Sequence, residues 1–349
     1  MTIQIELLTP AREAAYRRFL AANPRALIYA SLAFRDFLRA VAGGAPRYLL
    51  ALRAGEVVGV LPYFCAEHPE HGVLFNSLPW YGSYGACTLA DEADDAARRA
   101  LLQGYAEALD RPDLLAATLI LDPWENRHLD LYAAALRPRY TDRRIGQVKT
   151  LPEAGADLDD RLLYSFRKKT RNLVRKALKQ GFALEVTDAE WAWRFLHTTH
   201  TENIAALGGR AKPWAHFEAM RAHIPAAWRQ IYVARLEGEA VAALLLLYYH
   251  QTVEYITPVI KHAYRPRQPL SFLIFHAMRG AVEAGYRRWN WGGTWLSQKS
   301  LHRFKAGWGA DDYPYTYLVN TGAEATIRAH LQDLQAHFAY YYIFPYSQL

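Results

Sequence analysis

Tyr232-Val233-Ala234-Arg235-Leu236-Glu237-Gly238-Glu239 repeats the pattern of Leu49-Leu50-Ala51-Leu52-Arg53-Ala54-Gly55-Glu56: a β-compatible run, a glycine followed by glutamate, then a second apolar run. Each stretch reads as a β-hairpin, with glycine supplying the backbone freedom of a tight turn. Glycine turns are common, so the order of the surrounding elements carries more weight. In the first half, strand patterns at residues 58–63 and 73–78 precede a Gly/Tyr-rich loop, a helix over 89–109, a strand over 114–121 and a helix over 125–135. In the second half, strands at 240–249 and 252–260 precede an Arg/Pro loop, a helix over 270–284 and a strand over 287–291. The same succession occurs twice, which predicts an α/β fold of two tandem domains, each a mixed central sheet flanked by helices. The alternative is one continuous mixed sheet.

Residues 151–160 carry Pro152, Gly155 and three aspartates and read as a linker, which divides the chain into domains 1–155 and 156–349. At 349 residues, 52% apolar and 21% charged, the chain can build two cores, and it has no long Ser/Pro/Gly tract. Forty-one Lys and Arg against 34 Asp and Glu give a net charge of +7, which suits an anionic partner without naming it. Cys65 and Cys87 stand apart with no CxxC pair, so a reducing compartment is the simpler reading, although a bridge between them stays open. No basic and apolar export segment opens the chain, and its most apolar run, 240–249, is far short of a membrane span. A cytoplasmic protein is expected, with peripheral membrane contact left open by its basic and aromatic residues.

A helix over 161–180, ended by Gly181, has Leu162, Phe166, Thr170, Leu173 and Ala177 on one face and Arg167, Arg171, Arg175 and Lys179 on a basic stripe. Such a face is either a solvated surface or a site for an anionic small molecule, lipid headgroup or RNA, and recognised RNA-binding motifs are absent. His262-Ala263-Tyr264-Arg265-Pro266-Arg267-Gln268-Pro269 lies between a strand and a helix beginning near Leu270. Open amides at a helix N-terminus with guanidinium groups beside them favour a pyrophosphate, so Arg265, Arg267, Gln268, Leu270 and Ser271 are candidate donor-binding residues. The loop lacks the Arg/Gln-x-x-Gly-x-Gly/Ala signature of acetyl-coenzyme A sites, and neither GxGxxG nor GxxxxGK[ST] occurs.

Glu254 is a candidate proton acceptor from an attacking amine, and Tyr255 a candidate donor to a leaving group. Strand alternation puts Tyr255 with Thr257 and Glu254 on the opposite face unless a bulge intervenes. Asn290-Trp291-Gly292-Gly293-Thr294, followed by Phe304-Lys305-Ala306-Gly307-Trp308-Gly309-Ala310, offers Thr294, Lys305 and Trp308 as substrate contacts. Lys305 is expected at an exposed or ligand-facing position. His197 and His200 share a helix face but complete neither HExxH nor another metal set, so no metal is expected.

These residues resemble the FemAB-like branch of the GNAT acyltransferase superfamily over about residues 47–317. The resemblance rests on Ser165-Phe166-Arg167-Lys168-Lys169-Thr170-Arg171-Asn172-Leu173-Val174-Arg175-Lys176-Ala177 with Gly181, on Pro269-Leu270, and on Trp291 to Thr294 followed by Phe304 to Ala310. It implies an N-acyltransferase in which an amine attacks an activated carbonyl directly. The segment of Lys305 would then contribute to the second-domain cleft, and residues 265–269 would correspond to the donor-phosphate loop. An acyl-coenzyme A or acyl-carrier thioester is the favoured donor, with acyl carrier protein a partner in the latter case. Aminoacyl-tRNA is less favoured, because the helix over 161–180 is too short for the coiled-coil arm of some relatives. A noncatalytic binding module is the third reading. A second departure follows His197-Thr198-Thr199-His200, where many relatives place Arg-Gly and this chain has Thr201-Glu202.

Overall fold

A computed structural model describes residues 2–80, 82–92 and 94–345. The chain forms two compact units: the described residues of Met1–Ile145 with Pro314–Leu349, and Gly146–Tyr313. This division lies ten residues ahead of the expected boundary at 155, and the C-terminal segment joins the first unit. The reason is that the chain changes units inside two strands, not inside the Pro152–Asp160 loop.

In the first unit, β1 (Ile3–Leu7) leads through helices α1 (Glu13–Ala21) and α2 (Leu32–Ala42) to β2 (Ala45–Arg53), β3 (Glu56–His68) and β4 (Gly72–Ser77). A short β5 (Thr88–Leu89) pairs with β3, then come α3 (Asp95–Leu109), β6 (Leu114–Ile120), α4 (Leu129–Leu136) and β7 (Tyr140–Thr150). Ala93, inside the helix expected over 89–109, lies outside the described residues. Side-chain caps start two of these helices: Ser31 Oγ accepts from Phe34 N at 3.1 Å, and Asp94 Oδ1 from Ala97 N at 3.1 Å.

The second unit runs α5 (Leu158–Ser165), α6 (Lys168–Leu178), β8 (Ala183–Thr187), α7 (Glu190–Ala205), α8 (Trp214–His223), β9 (Arg229–Leu236), β10 (Glu239–Tyr249) and β11 (Thr252–Ile260). It continues with α9 (Pro269–Glu283), β12 (Arg288–Trp295), α10 (Lys299–Gly307) and β13 (Asp311–Asn320); α11 (Glu324–Ala329) and α12 (Leu331–His337) belong to the first unit. From β1 and from β8 the order is the same, β-α-α-β-β-β-α-β-α-β apart from β5, and the sheets read β1-β2-β3-β4-β6 and β8-β9-β10-β11-β12. The tandem reading of the two hairpins holds. Their turns are alike in detail: Ala54 and Gly55 have φ of 51° and 83°, Glu237 and Gly238 51° and 84°, the double left-handed turn that matches strand twist.

Each repeat gives its last strand away. The Pro314–Asn320 part of β13 pairs antiparallel with β6 in the first unit, Tyr317 opposite Ile120, and the Gly146–Thr150 part of β7 lies beside β12 in the second. The second unit has a core of its own. It packs α9, whose Phe272, Leu273, Ile274, Phe275 and Met278 are buried, on the faces of β10 to β12, each such side chain contributing roughly 1.5–3 kcal/mol. Cys65 and Cys87 are free thiols. Among the described residues no helix is long and apolar enough to cross a membrane.

Candidate active site

The two parallel strands at the centre of the second unit do not stay together. β11 and β12 pair at Thr252–Arg288, Val253–Trp289 and Glu254–Asn290, and then part, although β11 continues to Ile260 and β12 to Trp295. Opposite β10 the register of β11 shifts between Leu245–Thr257 and Leu246–Tyr255, so Ile256 is an extra, bulged residue. The bulge reverses the alternation expected from sequence. Glu254 and Thr257 share the face that pairs with Leu247 and Leu245, and Tyr255 lies on the other face with Leu246.

On the Glu254 face, α7 packs across β10 and β11, and Asn203 closes the contact by bonding both Ile260 O (2.9 Å) and Ile260 N (3.0 Å). Glu254 and Thr257 are buried. Lys212, from the α7–α8 connection, donates through Nζ to Thr257 Oγ1 at 3.2 Å, and burial lowers its ammonium to about 8. Its backbone amide donates to His200 Nε2 at 3.2 Å. Burial first, with Lys212 adding, lowers His200 and His216 each to about 4, so both imidazoles are neutral at neutral pH. His197 packs on the rings of Trp214 and Phe217 at 5.5 Å, which leaves His197 and His200 in packing and hydrogen-bonding roles. Asn290, paired with Glu254 at the last rung before the strands part, is fully buried. Its Oδ1 accepts from Gly292 N at 2.9 Å, while Nδ2 has no hydrogen-bond partner among the described residues. A buried donor without an acceptor costs stability, which makes this amide a candidate contact for a ligand oxygen.

The opposite face is an aromatic wall. Trp291 stands 4.7 Å from Tyr255, 5.8 Å from Phe304 and 5.9 Å from Trp308, and Trp308 meets Phe166 edge-on at 5.0 Å. Burial pushes the Tyr255 hydroxyl well above the usual phenol range, so Tyr255 stays protonated. Tyr255 and Glu254 are therefore not partners in one proton relay. Trp308 is buried in the core and only its wall face is available.

Lys305 is 4% exposed, which removes the exposed half of the exposed or ligand-facing position expected for it. Its ammonium donates to Gly292 O (3.1 Å), Gly293 O (3.0 Å) and Thr294 Oγ1 (2.8 Å), and burial lowers it to about 8. Thr294 Oγ1 in turn donates to Gln147 Oε1 at 3.3 Å, and Gln147 Nε2 reaches Asp312 and the carbonyl of His302. Lys305 and Thr294 thus hold the Gly-Gly end of β12 in place. Helix α10 lies inside the stretch between Trp291 and Gly309 and carries Lys305.

The helix expected over 161–180 is broken. Phe166 adopts extended dihedrals (ψ 150°) between α5 and α6, buries its ring on Trp308, and Arg167 N donates to Gly307 O at 2.9 Å. Tertiary packing overrides local helix periodicity here. A Cβ on Gly309 would lie 2.4 Å from Ser165 O, so only glycine admits this close approach. Arg167 is exposed; Arg171 and Arg175 stack over the exposed Tyr164 ring at 4.9 and 5.9 Å. Lys168 and Lys169 sit in the first turn of α6 with no acidic residue, where the helix dipole opposes them. Lys149, missed in the sequence because it is a lone lysine in a strand, is buried 5.5 Å over Phe166 and lowered to about 8 by desolvation.

The loop ahead of α9 is not an open amide cradle. Residues His262–Arg267 coil into a 3-10 turn; Tyr264 N donates to Lys261 O, Gln268 N to Arg265 O at 3.1 Å, and Ser271 N to Gln268 O at 3.0 Å. Pro269 at the first helical position has no N–H, Ser271 Oγ donates to Gln268 Oε1, and Leu270 packs against the core. Arg265 and Arg267 remain exposed beside this closed turn.

The model of a family described as acetyltransferase (GNAT) domain matches residues 164–315. No curated protein matches the sequence. Among solved structures, FemX superposes with a TM-score of 0.73 at 15% identity, covering 93% of this chain and 99% of that one. A tandem GNAT protein from the clavulanic acid biosynthesis pathway superposes at 0.51 and 13% identity, covering 91% and 98%. The C-terminal domain of a putative lysylphosphatidylglycerol synthetase from Agrobacterium fabrum does so at 0.55 and 14%, covering 93% and 96%. Residues 164–315 thus match an acetyltransferase (GNAT) domain, and the repeated element order of the two units is the fold of tandem GNAT proteins.

Proposed function

We propose that the chain transfers an aminoacyl group from an aminoacyl-tRNA to an amine, in the manner of the FemAB-like enzymes it resembles. The observation that carries this reading is the Arg265–Ser271 turn, whose Gln268 and Ser271 amides are bonded inside the turn and whose Pro269 has none, which leaves fewer amides to hold a coenzyme A pyrophosphate. The charge distribution supports it. The second unit holds 24 Lys and Arg against 15 Asp and Glu, whereas the first holds 17 against 19, so the basic surplus lies with the matched domain. A polyanionic donor suits such a surface, with Arg167, Arg171, Arg175, Arg265 and Arg267 exposed or stacked as phosphate contacts.

In this reading the amine nitrogen attacks the ester carbonyl carbon at the parting of β11 and β12. Glu254 takes a proton from the amine, Asn290 Nδ2 holds the carbonyl oxygen, and collapse breaks the ester C–O bond. The proton passes from Glu254 to the departing ribose oxygen. Lys305, Thr294 and the Trp308 wall fix the strand end that carries these groups. The splayed strands would equally admit a thioester arm, so the test sets charged tRNA against acetyl-coenzyme A and acylated carrier protein, with a panel of amine acceptors. Turnover with charged tRNA, falling steeply as salt rises, is the expected result. Turnover with coenzyme A or carrier thioesters alone would return the donor to a thioester and leave the site assignment standing.

A further inference from the structure

We propose that the first unit contains a divalent-metal site, made by His68 and His71 of the β3–β4 hairpin and Asp333 of α12, for an ion of the zinc class. It lies apart from the chemistry of β11 and β12 and goes beyond acyl transfer. His68 Nε2 stands 3.0 Å and His71 Nε2 3.7 Å from Asp333 Oδ2, and the three ligand atoms all lie within 4.8 Å of one another. Donors bound tetrahedrally at zinc distances of about 2.0–2.1 Å are separated by roughly 3.3 Å, so small side-chain adjustments bring these three onto one ion. Two imidazoles and a carboxylate are a donor set that zinc and its neighbours favour over magnesium or calcium.

The surroundings are built as well. His68 and His71 stack with centroids 4.5 Å apart, His330 lies 4.2 Å from His71, and His337 4.5 Å from His68. His337 Nε2 donates to Glu67 O at 2.8 Å, which fixes it as an outer wall. The hairpin is held firmly, since Gly72 (φ +97°) lets the turn pack where a Cβ would lie 2.3 Å from Asp113 O. His68 Nδ1 accepts the Glu70 amide at 3.2 Å, so metal on Nε2 moves the ring hydrogen to Nδ1 and releases that one part-buried bond. His68, His71 and Asp333 leave the fourth position to water, and the bound ion clips α12 to the hairpin.

The test is calorimetric titration of zinc into the chelator-stripped full chain, with hydrogen exchange of residues 331–337 followed in parallel. We expect one ion per chain, slower exchange across α12, and at least about ten-fold weaker binding in both His71→Ala and Asp333→Asn. Asp333 is largely exposed, so Asp333→Asn keeps the fold, which circular dichroism checks. His223→Ala, in the other unit, should bind as the parent does. Parent-like affinity in His71→Ala and Asp333→Asn, or equal weakening in His223→Ala, would overturn the site.

Discussion

In the first unit the parallel strands β4 and β6 stay paired from Val73–Leu114 to Ser77–Leu119, whereas their counterparts β11 and β12 separate after Glu254–Asn290. The buried charges differ in the same sense. Arg98 and Glu125 form a two-bond ion pair at 3.0 Å, closed further by the Tyr132 hydroxyl, while the second unit buries Lys149 and Lys305 and half-buries Lys212, each lowered to about 8. All nine lysines of the chain fall between residues 146 and 313. The first copy keeps its parallel strands paired and its buried guanidinium matched to a carboxylate, while the second has an open seam with the Asn290 amide at its apex. The repeat keeps the scaffold in both copies, and in the proposed reading the chemistry belongs to the second.

The sharpest way to break that comparison is to remove one carboxylate from each unit. Glu254→Gln should lower acyl transfer about 10²–10⁴-fold with little change in melting temperature, as expected for loss of a proton acceptor. Glu125→Gln should do the reverse, costing about 1–3 kcal/mol of stability because buried Arg98 loses its two-bond carboxylate and keeps only Asp95 and the Glu92 carbonyl, while leaving the rate per folded molecule unchanged. A rate loss in folded Glu125→Gln equal to that of Glu254→Gln would mean that both units carry chemistry. Next in size, Asn290→Ala should reduce turnover by about 10²-fold, the scale of a lost oxyanion donor, and cost only about 1 kcal/mol through Gly292 N. Turnover measured beside a denaturation curve separates the two effects.

The charge contrast predicts a smaller change. Arg171→Ala with Arg175→Ala should weaken charged-tRNA binding roughly ten-fold and flatten its dependence on salt, because phosphate contacts release counterions. Arg12→Ala with Arg17→Ala, on the first unit, should leave both unchanged. An identical salt slope for both double variants would show that the donor does not use the basic helix.

The repeat was readable because hairpins and alternating strands are local signals: Gly55 and Gly238 mark turns whatever surrounds them. The site was less readable because its geometry depends on pairing. Whether Glu254 faces Thr257 or Tyr255 is decided by one bulged residue, Ile256, and no composition signal marks a bulge there. The break at Phe166 depends on Gly307 and Trp308, more than a hundred residues away, and the amphipathic pattern ran straight through it. Lys212 and Asn290 were missed for a similar reason. Each is a single polar residue whose meaning comes from the strand it meets, although an asparagine opening Asn290-Trp291-Gly292-Gly293 was a signal within reach.

The smallest expected effect concerns the lysines that only the second unit possesses, and Lys305 is the one whose partners are fully defined. Its folded-state value of about 8 lies below that of a free lysine, so between those values the unfolded chain holds a proton that the folded chain has released. Stability rises with pH wherever the unfolded state binds more protons. The contribution of Lys305 is therefore least favourable below pH 8 and improves as pH climbs through 8 toward the unfolded value. Lys305→Met keeps the length of the side chain and removes the titration, although it leaves Gly292 O, Gly293 O and Thr294 Oγ1 without their donor. Subtracting the variant from the parent cancels the tyrosines and cysteines that also titrate in alkali. The difference in unfolding free energy should then shift toward the parent by about 1 kcal/mol between pH 8 and 9.5, on the scale of 1.4 kcal/mol per pH unit at most. Denaturant titrations at both pH values read it directly. A difference that stays flat would mean that the ammonium keeps its proton in the folded state, and that its three oxygen acceptors outweigh its desolvation.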